Sequence, residues 1–179
     1  MKALTLHQPY ATLIARGQKW YETRSWQPPV SLYGQRIAIH AGTSRKSLQW
    51  LQRQPFYAEL EASLDLTDLP VGGIVATAVL DHVLRVEQTR ISYKDPQRVG
   101  RSSFKAVLTG MTVDATEWAY HIHLGSTSRT VQVNRQEYLL GDWSAGRYCW
   151  RFVDVQLVAP PVPCRGHQRI WNVPETINL

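Results

Sequence analysis

Gly17-Gln18-Lys19-Trp20-Tyr21-Glu22-Thr23-Arg24 is the stretch on which the reading of this chain turns. It has the form GxKxxExR and lies where a short helix stops and a strand begins. Upstream, Pro9 takes the first helical position, where a missing N–H is tolerated, and Tyr10, Leu13 and Ile14 share one face. Gly17 closes that helix, because a left-handed residue without a Cβ is the usual way out of a last turn. From Lys19 to Ser25 the Trp, Tyr and Thr content favours extended chain, until Pro28-Pro29 breaks it. In a regular strand Glu22 and Arg24 share a face and Lys19 points away. If the chain is still turning after Gly17, Lys19 swings onto the Glu22 side.

Outward from this run, Lys2 to Leu6 reads as a short strand, and Gly34 to Ala41 as a strand with alternating Ile37 and Ile39. Ser44 to Leu64 is helical but interrupted at Pro55, with Leu48 and Leu51 before the break and Phe56 and Leu60 after it. Leu69 to Gly73 turns into a long strand from Ile74 to Val86, whose Ile-Val-Ala-Thr-Ala-Val run predicts burial on both faces. Arg147 to Val158 is a second long strand, ended by Pro160-Pro161-Val162-Pro163, and Ile170 to Val173 is a final extended piece. Thr112 to His123 holds strand segments, and Gly125 to Ser128 reads as a turn. Short strands with two helices on one side predict an α+β chain built on a small, mostly antiparallel barrel. The chain is read as a single domain over residues 1–179, with an insertion at about 87–140.

The 179 residues carry 20 Lys and Arg against 14 Asp and Glu, a net charge of +6. That excess disfavours an acidic, calcium-type protein and favours a polyanionic partner, nucleic acid before an anionic membrane surface. Part of it lies in one run, where Arg85, Arg90, Lys94, Arg98, Arg101 and Lys105 face only Glu87 and Asp95. The run is either a solvated loop or a surface that tracks a phosphate backbone. Seven Trp and eight Tyr outnumber three Phe, which suits rings that stack on a ligand as well as rings at the rim of a core. No apolar run approaches membrane-spanning length, and the start of the chain does not read as a signal peptide. Cys149 and Cys164 lack zinc-site spacing and read as free thiols in a cytoplasmic protein. No cofactor motif appears, and no membrane partner is expected. A monomer is favoured.

Lys19, Glu22 and Arg24 support two readings. In one, a Glu22–Arg24 ion pair pins the strand and Lys19 is solvated. In the other, the three form the polar floor of a nucleotide cleft, with Lys19 or Arg24 on phosphate or a base edge and Glu22 accepting from an exocyclic amine. Trp26 is a stacking ring or a core residue, and Tyr10 reads as core. His7 and His40 lie in strand regions that converge on a barrel mouth, and His40 joins the candidate binding residues with Arg98, Arg101 and Lys105. His121 and His123 share a strand face without a visible third ligand, so no metal site is assigned.

The GxKxxExR run, preceded by Leu4-Thr5-Leu6-His7-Gln8-Pro9-Tyr10-Ala11 and followed by Ser25-Trp26, resembles the ASCH family, the activating signal cointegrator homology domain. Gly141 to Tyr148, Pro163 to Gln168 and Ile170-Trp171 look like closing elements of its longer bacterial members. The resemblance implies a PUA-like barrel and a role near transcription, translation or RNA modification. It also implies that the closing segment returns near the opening one, which makes Trp171 a second candidate stacking ring. The function expected is a nucleic-acid-binding module for single-stranded RNA or an exposed nucleotide. Some small ASCH-like proteins are amidohydrolases acting on N(4)-acetylcytidine. They resemble this chain at Gly17 and Lys19 but carry Thr where it has Glu22. A hydrolase acting on a nucleoside or RNA through Lys19 and Glu22, amidohydrolase-like or a nuclease, is the alternative. A protein-interaction adaptor, marked by an exposed apolar patch, is the third class.

Overall fold

The structure, a computed structural model, describes residues 1–93, 118–124 and 129–179. The fold is α+β, as expected. Eight strands and four short α-helices appear among the described residues: β1 (Lys2–Leu6), α1 (Tyr10–Ala15), β2 (Tyr21–Arg24), β3 (Arg36–Ala41), α2 (Lys46–Gln52), α3 (Tyr57–Ser63), β4 (Gly73–Tyr93), β5 (Trp118–Leu124), β6 (Arg129–Val133), α4 (Arg135–Leu139), β7 (Tyr148–Pro163) and β8 (Ile170–Asn172). They group into two units. The first comprises Met1–Trp20, Pro28–His82 and Arg151–Leu179, the second Tyr21–Gln27 and Val83–Trp150. β4 and β7 contribute residues to both.

In the first unit β3 lies between β1 and β4. It runs parallel to β1, with Lys2 opposite Ile37 and Leu6 opposite Ala41, and antiparallel to β4, with a bulge between Ile39 and His40. β8 closes the other side of β1, antiparallel, placing Trp171 opposite Ala3. The parallel β1–β3 pair needs a long crossover, and α1 lies within it. α1 is buried from Ala11 to Ala15 because its short side chains and Leu13 and Ile14 cover the sheet. Gly17, at φ 68°, ends it: the N–H groups of Gln18 and Lys19 both return to the Leu13 carbonyl. β4 is buried at every position from Gly73 to Ala78, matching its unbroken apolar run. Pro55 separates α2 from α3 where the interruption was expected.

In the second unit β4 pairs with β5, and β5 with β6, both antiparallel. The core there gathers Tyr21, Val86, Val133, Trp143 and Cys149. Three features differ from the sequence reading. β4 runs on to Tyr93, beyond Val86. β7 passes through Pro160 and Pro161 instead of stopping before them. Proline removes a donor only on the edge its N–H would face, and β2, the neighbour of β7 opposite β4, is only four residues long. α4 had no expected counterpart. Its Asn134 side chain caps it by accepting from the Glu137 N–H at 2.8 Å. Residues 125–128, read as a turn, lie outside the described residues.

Candidate functional site

The chain is still turning when it reaches Lys19, so the regular-strand geometry does not apply there. Lys19 belongs to the first unit and is 1% exposed, with its Nζ 5.8 Å from the centroid of the Tyr10 ring. A buried ammonium needs compensation, and an aromatic face supplies part of it. Trp20, which follows, is half-exposed.

Glu22 and Arg24 fall in the second unit, one strand period apart on the same face of β2. Glu22 is 8% exposed, and its Oε1 lies 2.9 Å from Arg24 Nε. The Arg24 side chain keeps 28% of its surface exposed. Trp26, two residues on, is half-buried and meets the fully buried Trp150 edge to face, with centroids 4.8 Å apart.

A polar frame holds this strand from behind. Glu137, 2% exposed, accepts the Tyr21 N–H at 3.1 Å. The Asp142 N–H donates to Thr23 Oγ1 at 2.8 Å, and Arg147 donates to the Thr23 carbonyl at 3.3 Å and pairs with Asp142. Burial opposes ionisation of Asp142, but the Ser144 hydroxyl and N–H and the Arg147 guanidinium outweigh it and hold the carboxyl below its usual range. Glu137 was missed by sequence reasoning. Its signal was present: Asn134 followed three residues later by Glu137 is a capping-box pattern.

His40 and Trp171 come together in the first unit, edge to face at 5.6 Å. Both are buried, and Trp171 Nε1 donates to Thr5 Oγ1 at 3.0 Å. His40 Nε2 lies 3.1 Å from the Cys164 carbonyl, so Nε2 carries the proton and Nδ1 the lone pair. Burial, helped by nearby His167, pushes the His40 pKa down against that hydrogen bond. Arg98, Arg101 and Lys105 lie outside the described residues. Among the described residues no three His, Cys, Asp or Glu side chains gather as a metal would require. No described helix is long and apolar enough to cross a membrane.

The sequence pattern that defines the ASCH domain matches residues 4–124, which takes in β1 from Leu4 onward, α1 and the whole GxKxxExR run. The chain belongs to the ASCH domain family. Solved structures to which the chain shows similarity include the ASCH protein from Zymomonas mobilis, at 14% identity over 98% of this chain and 88% of that one, with a TM-score of 0.45. The S128A mutant of the Zymomonas mobilis ASCH protein is similar at 16% identity over 97% and 88%, with a TM-score of 0.43. No curated protein sequence matches the chain. The ASCH match ends at residue 124, so Glu137, Asp142 and Arg147 lie beyond it.

Proposed function

We propose that this ASCH protein is a nucleic-acid-binding module that takes an unstacked nucleotide of single-stranded RNA on the Glu22–Arg24–Trp26 face. The supporting observation is the Glu22–Arg24 pair: a buried carboxylate fixes one edge of a guanidinium whose side chain stays 28% exposed. A guanidinium oriented in this way loses little freedom when it meets a phosphate or a base edge. Glu22 then acts by positioning Arg24, and the half-buried Trp26, two residues on, is the candidate stacking ring. The net charge of +6 has the sign that an RNA partner requires.

Anisotropy of a fluorescent single-stranded RNA, titrated across salt concentrations, tests this. Affinity should fall steeply with salt, and Arg24→Ala should weaken binding by about tenfold or more, the scale of a charge-assisted hydrogen bond of about 1.5–3 kcal/mol. A flat salt response, or no binding at low salt, would sink the reading.

The burial of Lys19 favours a second reading, a hydrolase acting on a nucleoside or RNA. An amine out of water beside Tyr10 suits a group that activates a nucleophile or water. Loss of N(4)-acetylcytidine absorbance on incubation, abolished by Lys19→Ala in a folded variant, would establish it. Unchanged absorbance over prolonged incubation would remove that substrate from consideration.

A further inference from the structure

Away from the motif, α2 and its flanks carry a surface that the proposed site does not use. After Glu22 the next carboxylate in the sequence is Glu59, so the stretch from Arg45 to Gln54 holds Arg45, Lys46 and Arg53 with no acidic residue among them. Lys46, Trp50 and Arg53 are spaced i, i+4 and i+7, which puts them on one stripe of the helix and its C-terminal residue. All three are exposed, while Leu51 on the other side is buried. Trp50 is 52% exposed. Among the described residues no ion pair engages Arg45, Lys46 or Arg53.

A large ring left in water between two uncompensated cations has a specific chemical complement. An apolar partner would leave the charges unpaired, and a simple anion would leave the ring unused. An unstacked base flanked by phosphates matches both. We propose that the Lys46–Trp50–Arg53 stripe is a second contact surface for single-stranded nucleic acid, with Trp50 stacking on a base and Lys46 and Arg53 meeting the phosphates on either side. The inference rests on the nucleic-acid reading above and adds a second place on the chain where the strand is held. His7 Nδ1, 2.8 Å from the Ser47 hydroxyl, ties the helix to the end of β1 and steadies the stripe.

The test uses the full chain and a fluorescein-labelled oligouridine in anisotropy titrations at several salt concentrations. Trp50→Ala should weaken binding by about tenfold with the salt slope unchanged, and Trp50→Phe should retain most of the affinity. The double variant K46Q/R53Q should flatten the salt slope by about 1.4, at about 0.7 per lost phosphate contact on a single strand. It leaves Trp50 in place, so the outcome does not hang on one substitution. Thermal melts of each variant establish that it is folded. If the wild type binds and Arg24→Ala weakens it, while all three α2 variants bind as the wild type does, this inference is overturned and the proposed function stands. Absence of wild-type binding at low salt overturns both. Trp50-dependent binding to phosphatidylserine vesicles, with RNA binding untouched, also overturns it and assigns the stripe to a membrane surface.

Discussion

Gly166 shows how closely one backbone position can be specified. A Cβ added there would come within 2.3 Å of His40 Cε1 and 2.5 Å of His40 Nδ1, with Thr5 Oγ1 at 2.9 Å. The ring cannot retreat easily, since Nε2 is committed to the Cys164 carbonyl and Trp171 packs against its face. Gly166→Ala should therefore destabilise by about 1–3 kcal/mol, the usual range for overpacking, read as a lower denaturant midpoint. The same ring sets a pH dependence. Burial lowers the His40 pKa below its ordinary 6.5, so the unfolded chain takes up the proton first. The contribution to stability is whole above pH 6.5 and declines as pH falls from there toward the folded-state value. The melting temperature of the wild type should drop over that window, and His40→Gln should lose this part of the slope. An unchanged pH profile in the variant would show that His40 does not set it.

Among the elements, the agreement between sequence and structure follows the strength of the local signal. β1, α1 and β3 were legible because apolar periodicity and the Pro9 and Gly17 boundaries point the same way. The α2–α3 break was legible because Pro55 can do little else inside a helical pattern. The end of β7 was not legible, because a proline ends a strand only where its missing N–H faces a partner, and that depends on partners far along the chain. α4 went unseen because only five residues are helical, and its one clear mark is the Asn134–Glu137 pairing. Asn134→Ala should cost about 0.5–2 kcal/mol, the range for losing an N-cap side chain, and denaturant unfolding would measure it. In the candidate site the i, i+2 placement of Glu22 and Arg24 was readable from strand geometry. The burial of Lys19 was not, because it depends on where the turn after Gly17 carries the side chain.

At the scale of the molecule, each unit holds one of the two cysteines, Cys149 in the second and Cys164 in the first. Burial pushes the Cys149 thiol up to about 11, so at neutral pH it is almost wholly protonated as well as shielded. Cys164 is only partly covered, though burial raises its pKa too. Iodoacetamide at neutral pH should label Cys164 in the native protein and reach Cys149 only on unfolding. Following Cys149 labelling by mass spectrometry beside the far-ultraviolet circular dichroism of the whole chain through a denaturant series would show whether the second unit melts with the rest. Coincident curves would mean a single cooperative transition, and separated curves two. The Glu137 carboxylate on the Tyr21 N–H carries a practical lesson for anyone trimming this chain. A fragment cut at residue 124, where the family match ends, would keep the whole signature run and lose the acceptor that holds its strand. It would be an ASCH domain by recognition and a damaged one by chemistry.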